Sequence, residues 1–374
     1  MIKVSAYRYE YKEDPPVKIS FHTWHYRPNV IVRLEHKDSF GLGESAPLLQ
    51  ITGDDQTSVI EEIKSLNNFD INPETTTASD FHLYLDKIEL KSITLRTALD
   101  FAYHDLKAKL LGIPVWRMFS DSIIKIPNSV TVYLKDSLEE TALEAKRLIT
   151  KFPLMKVMKI KLSGEGDFER CQAVKKILQN HDIVFSLDAN QGYSDPSKAV
   201  SSLNQIIKLL GKVLLIEEPC PKGELDKLRF VKENIVNSLI FADESAVNIE
   251  DVRTIIDKKA AHGINIKLQK AGGIYKGREI ASLAVKHGLK LMVGAMLEGS
   301  LGMAAGIHFS NDLQNLILKD LDTDLDMEEH FNGKIPFLDG FRLPCSMPGL
   351  GISFNETLIM KLKEKNLLTL QQIT

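Results

Sequence analysis

Five short stretches of this chain carry residues that could do chemistry together. Lys159 and Lys161 stand two apart in V-M-K-I-K-L, Asp188 closes FSLD, Glu217 and Glu218 close LLIEE, Asp243 and Glu244 follow IFA, and Lys267 closes INIK. From Lys161 the steps run to 188, 217, 243 and 267, each about one strand–helix unit long. Singly, each residue has an ordinary reading: an Asp after a strand caps a helix or makes a turn, and a lysine at a strand end reaches for water. Together they are harder to dismiss. Three carboxylates on neighbouring strand ends repel unless a cation lies between them. Oxygen donors without His or Cys suit Mg²⁺ rather than Zn²⁺. Lys161 and Lys267 flank the carboxylates on either side. A substrate carboxylate on such a metal is polarised, and loss of the adjacent proton leaves an enediolate that the metal stabilises. One lysine takes the proton and the other returns it from the opposite face, inverting the carbon. A lysine base needs a lowered pKa, and a second cation with partial desolvation pushes that way.

The elements that must hold these residues follow from periodicity. Eight apolar or β-branched runs, NSVTVYL, VMKIKL, IVFSLDAN, VLLIEEP, LIFADES, GINIKL, KLMVGAM and LILKDLD, alternate with amphipathic stretches such as LEETALEAKRLITKF. That rhythm predicts a parallel sheet, most simply a closed (β/α)8-type barrel, with an open doubly wound sheet as the alternative. The charged residues fall at the strand C-termini, which is the mouth of a barrel. Before residue 125 the pattern is α+β: KVSAYRYEY alternates, NVIVRLEHKDSFGLGESAP reads as two strands and a turn, and LRTALDFAYHDLKAKLL is helical up to Gly112 and Pro114. After residue 330 the chain turns irregular and Gly/Pro-rich. The expected division is 1–124, 125–330 and 331–374.

Composition narrows the function classes. The chain has 374 residues, 44% apolar and 26% charged, with a net charge of −3. A large core is within reach, and neither nucleic acid nor a membrane surface is an expected partner. No apolar run reaches the roughly 20 residues of a membrane span, and MIKVSAYRYEYKEDPP lacks the apolar stretch of a signal peptide. Cys171, Cys220 and Cys345 lie far apart, forming neither a disulfide framework nor a zinc spacing. A cytoplasmic location is expected.

The chain resembles members of the enolase superfamily, in its muconate-lactonizing subgroup. The resemblance rests on Lys159-Ile160-Lys161, Asp188-Ala189-Asn190, Glu217-Glu218-Pro219, Ala242-Asp243-Glu244-Ser245 and Lys267 in NIKLQKAGG, extended by FGLGESAPLLQITGDD and SMPGLGI. It implies an α/β fold: a modified TIM barrel, (β/α)7β, under an N-terminal α+β capping domain that the C-terminal segment returns to complete. It implies one Mg²⁺ per subunit on Asp188, Glu217 and Asp243, Lys161 and Lys267 as the acid/base pair, Lys159 against the substrate carboxylate, and a homo-oligomer.

Within the subgroup, Asp320 and Asp322 in LKDLDTDLDM resemble the Asp-x-Asp with which dipeptide epimerases hold a substrate's N-terminal ammonium. Chemically, two carboxylates on one face suit a cation, although Asp324 and Asp326 continue the run and a solvated acidic loop is the bland alternative. Met296 and Glu298 in VGAMLEGSLG also resemble the epimerase pattern and are expected, with Thr131, to line the pocket. The capping loop VKISFHTWHYR (17–27) is where such enzymes select the side chain. Ala-Glu epimerases carry an arginine where this chain has His22, with Lys18, His25 and Arg27 keeping the loop basic. The expected substrate is a small dipeptide, L-Ala-L-Glu ahead of other L-Ala-L-Xaa, in cell-wall peptide metabolism. An N-acylamino acid racemase, an o-succinylbenzoate synthase and a non-catalytic metal-binding protein are the alternatives.

Overall fold

The computed structural model describes residues 1–19, 22–327, 331–355, 357, 360 and 368–372. Residues 20 and 21 of the expected capping loop lie outside that set. The N-terminal part is an antiparallel sheet of β1 (Lys3–Lys18), β2 (Thr23–His36) and β3 (Ser39–Ser45). Four helices follow: α1 (Leu49–Thr52), α2 (Gln56–Ser65), α3 (Ala78–Lys87) and α4 (Ile93–Leu111). Leu95, Leu99, Ala102 and Leu106 of α4 share one apolar cluster with Val30, Val32 and Leu34 of the sheet. The β1–β2 ladder slips register between Lys12 and Val17, where Pro16 has no N–H to give.

The second part contains all eight anticipated strands as one parallel sheet: β4 (Ser129–Val132), β5 (Val157–Lys161), β6 (Val184–Asp188), β7 (Val213–Glu217), β8 (Leu239–Ala242), β9 (Gly263–Lys267), β10 (Lys290–Gly294) and β11 (Leu316–Asp320). They pair in sequence order, and β11 returns to β4 through a parallel bridge between Asn128 and Lys319. The sheet is thus nearly closed as a barrel. Helices α5 (Leu138–Lys151), α6 (Asp167–Ile177), α7 (Pro196–Leu210), α8 (Leu225–Asn234), α9 (Ile249–Lys258), α10 (Leu268–Ala271), α11 (Ile274–Lys286) and α12 (Ser300–Phe309) follow the first seven strands. The eighth runs instead into the coil bearing Asp322 and Asp324, so the (β/α)7β form holds and the simpler (β/α)8 expectation does not.

Alternation along the strands fills the barrel in layers. Val157, Leu215, Phe241, Met292 and Leu318 form one apolar cluster inside it. Two residues further on, the same faces carry Lys159, Glu217, Asp243 and Asp320 at the C-terminal end. The faces between them, such as Met158, Ile160, Phe185 and Leu187, join the main core that packs on the helices.

Two buried groups fasten the first part to the barrel. Glu44 of β3 accepts from Gly299 N and Gly302 N at 2.8 Å each, capping α12, and from Asn29 Nδ2 at 2.7 Å. Gln269, within α10, exchanges bonds with the backbone of Glu44 and Ala46. Beyond the barrel, β12 (Phe331–Asn332) pairs with β13 (Ser353–Phe354), and β14 (Leu368–Gln372) pairs antiparallel with β1. No helix among the described residues is long and apolar enough to cross a membrane.

Candidate active site

Strands β5 to β9 deliver their terminal side chains to one point. Asp188, Glu217 and Asp243 come from three adjacent strand ends, and one oxygen from each lies within 4.8 Å of the others. Lys159 Nζ donates to Asp320 Oδ2 at 2.6 Å and lies 2.9 Å from both Asp188 Oδ2 and Glu217 Oε1. Lys161 Nζ donates to Asp188 Oδ2 at 2.6 Å and Asn190 Oδ1 at 3.0 Å, while Lys267 Nζ donates to Asp243 Oδ2 at 2.7 Å. The two lysines reach the triad from opposite sides, each holding a different carboxylate.

The electrostatics are those of a crowded acidic cluster. Burial, reinforced by Asp188, Asp320 and Asp243 against the pull of Lys159, pushes the Glu217 carboxyl up to about 8. Asp188 goes the other way: burial raises it, but the ammoniums of Lys159, Lys161 and Lys267 reverse that and hold it well below the usual carboxylate range. For Lys267, burial pushes down, yet Asp243, Glu244 and Asp188 outweigh it, and the ammonium is held above its ordinary range. For Lys267 the direction is the reverse of the lowering that a lysine base needs, because its Nζ lies 2.7 Å from Asp243 Oδ2. The donor set fits a hard divalent cation. All three groups are carboxylates, Glu217 Oε1 receives no directed hydrogen bond, and Asn265 Nδ2 holds its other oxygen at 2.7 Å. Gly294 leaves room for that asparagine: a Cβ there would stand 2.7 Å from Asn265 Oδ1.

Asp320, Asp322 and Thr131 meet at the seam between β11 and β4. Asp320 Oδ1 accepts from Ser129 Oγ at 2.6 Å, and Asp322 Oδ2 accepts from Thr131 N at 2.7 Å. Asp322 has no ammonium or guanidinium within 4.0 Å among the described residues. Burial and the neighbouring Asp320 push it up to about 7. Thr131, Asp320, Asp322 and Met296 line one cavity with Lys159, Lys161, Lys267 and Asp243, enclosing about 610 Å³ with its open mouth.

Two expected pocket residues do not line this cavity. Glu298 turns back on its own loop, where its carboxylate accepts from Met296 N at 2.5 Å. His22 lies against Trp24, with ring centroids 4.6 Å apart, and Trp24 is the residue that reaches the cavity. Four more residues belong to the site: Asn190 and Glu218, which the sequence motifs carried without a role, and Lys270 and Asn265, which sequence reasoning passed over. Lys270 Nζ donates to Asp243 Oδ1 at 2.7 Å; its signal was the spacing of three from Lys267 in the single turn of α10. Asn190 joins Lys161 to Glu244, and Glu218 receives Asp243 N, Ser245 N and Ser245 Oγ, fixing the loop after β8. The fourth is Asn265, whose only signal was its place one strand repeat before Lys267.

Comparison with known proteins finds relatives along most of the chain. Residues 1–119 match the family model described as mandelate racemase / muconate lactonizing enzyme, N-terminal domain, and residues 140–358 match the enolase C-terminal domain-like model. The L-Ala-D/L-Glu epimerase of Bacillus subtilis is 28% identical over 356 residues, 94% of this chain and 96% of that protein. The L-Lys-D/L-Arg epimerase of Methylococcus capsulatus is 31% identical over 349 residues, covering 91% and 95%. A crystal structure of a dipeptide epimerase from Enterococcus faecalis, complexed with Mg and the dipeptide L-Leu-L-Tyr, superposes with a TM-score of 0.80 at 26% identity, covering 94% of this chain and 98% of that one.

Proposed function

Because the chain belongs to the enolase superfamily, through its mandelate racemase / muconate lactonizing enzyme branch, we propose that it is a dipeptide epimerase, an isomerase that inverts the α-carbon of the C-terminal residue of an L-Ala-Xaa dipeptide. The observation that carries this reading is the placement of Lys161 and Lys267 on opposite sides of one cavity, with Asp322 at its far wall holding no cationic partner. Asp188, Glu217 and Asp243 would hold a divalent cation such as Mg²⁺, which would supply polarisation of a substrate carboxylate and so acidify the neighbouring C–H. Lys159 steadies that carboxylate. One of Lys161 and Lys267, as the free amine, takes the α-proton as the Cα–H bond breaks. The other, as ammonium, delivers its proton to the opposite face as the new bond forms, so the lysines exchange protonation states and the carbon is inverted. Asp322 pairs with the substrate's N-terminal ammonium, while Asp320 already holds Lys159.

The test is α-proton exchange in D₂O with Mg²⁺ and a panel of L-Ala-L-Xaa dipeptides, L-Ala-L-Glu included. Exchange at the C-terminal residue with both epimers accumulating is expected; none with any member overturns the reading. Asp322→Asn separates it from the N-acylated alternatives. An epimerase loses at least about ten-fold in kcat/KM on removal of that charge, whereas an N-acylamino acid racemase, whose substrate brings no ammonium, keeps its rate.

A further inference from the structure

Lys18, His22, His25 and Arg27 of the capping loop do not line the cavity. Arg27 is 3% exposed, and its guanidinium is fully engaged: it pairs with Glu13 and donates at 2.6 Å to the carbonyls of Glu298 and Thr323. Lys18 pairs with Asp136 at the surface, His25 is exposed, and His22 lies behind Trp24. What faces the cavity on this side is apolar. Val17, Ile19, Trp24, Leu48, Met296 and Leu297 form one buried cluster, with Ile51 and Tyr133 packed on it, and all eight line the cavity. The wall draws on β1, β2, the α1 turn and the loop after β10, so it faces the barrel mouth across the catalytic residues.

Resting on the epimerase reading, we infer that the residue being inverted carries an aliphatic or aromatic side chain, seated on this wall, rather than a carboxylate or an ammonium. The cavity's charged groups are confined to the floor and the Asp322 seam. Its four lysines all pair with triad or Asp320 carboxylates. A glutamate side chain leaving the α-carbon towards the hairpin would lose its water and find no cationic side chain among the described residues of the wall, whose polar hydrogens are the Tyr133 hydroxyl and the Trp24 indole N–H. A leucine or phenylalanine side chain there gains about four-fold in affinity for each methylene buried. Ile19 and Trp24 act as specificity residues; neither touches the reacting atoms.

The experiment uses the full chain loaded with Mg²⁺. Values of kcat/KM are measured for L-Ala-L-Leu, L-Ala-L-Phe, L-Ala-L-Met, L-Ala-L-Glu and L-Ala-L-Lys from α-proton exchange. The apolar members should exceed the charged ones by at least about ten-fold, and Ile19→Arg should narrow the Leu-to-Glu ratio by a similar factor. If L-Ala-L-Glu is turned over as fast as L-Ala-L-Leu, or faster, the side-chain inference falls while the epimerase reading stands. If no dipeptide exchanges but N-succinyl amino acids do, the epimerase reading itself falls and takes the inference with it. The wild-type ratio decides the matter even if Ile19→Arg does not fold.

Discussion

Lys159 and Lys161 differ by two positions and by what holds them. Lys159 is 1% exposed and spans Asp188, Glu217 and Asp320, whereas Lys161, among the described residues, is held by Asp188 and Asn190 at the cavity edge. A residue caught among three carboxylates steadies charge, and a residue on one can let go and move a proton. Lys161→Ala and Lys267→Ala should each lower the rate of inversion by about 10³. Each single variant should still exchange the α-proton from one epimer only, as NMR in D₂O will show, since either remaining lysine serves one face. At this scale the charged strand ends were legible, because charges that recur at one fixed place in five successive units converge on a single mouth once the strands close up. Glu298 and His22 do not line the cavity. Their types suited the pocket, but loop backbone turned one inward and Trp24 screened the other. Asn265 was equally hidden, since an amide inside an apolar strand looks like any buried polar residue until its partner is known.

At the scale of elements, the strands could be read because a barrel strand is a short apolar run and a helix a longer amphipathic one. How the layers meet could not, since the contacts join residues hundreds of positions apart. Glu44 illustrates this: FGLGESAP reads as a strand and a turn, yet its glutamate caps α12 far along the chain. Glu44→Ala leaves two helix N–H groups unpaired and takes away one of the two acceptors of Asn29 Nδ2, the Leu297 carbonyl remaining, and should lower unfolding stability by about 3 kcal/mol in denaturant titration. Arg342 pairs with Asp324 through two bonds, 2.6 and 3.0 Å, with both side chains fully buried, and ties the C-terminal segment beneath the Asp322 coil. Arg342→Ala strands a buried carboxylate and should cost about 3–5 kcal/mol in the same measurement, with a raised KM if the coil moves.

For the whole molecule, two linked equilibria follow. Lys319 is buried with the Arg342 carbonyl as its acceptor, and burial, then the Arg342 charge, push it down to about 7. A lysine in the unfolded chain titrates near about 10, so the unfolded state binds more protons across that window. Stability should therefore rise between about pH 7 and pH 10, by at most about 1.4 kcal/mol per pH unit from this group. Lys319→Met should flatten that rise in urea titrations at pH 7 and 9. Mg²⁺ at about 100 times its dissociation constant should add about 2.7 kcal/mol to unfolding stability, seen as a higher Tm that EDTA reverses and that is absent in Asp243→Asn. The pairing of β14 with β1 bears on how the molecule meets other chains. β1 precedes the barrel in sequence and carries Val17 of the apolar wall, yet its outer edge is covered by β14, which follows the barrel. Left open, that edge would offer its unpaired N–H and C=O groups to any extended chain, so the last described strand also guards the protein against edge-to-edge association.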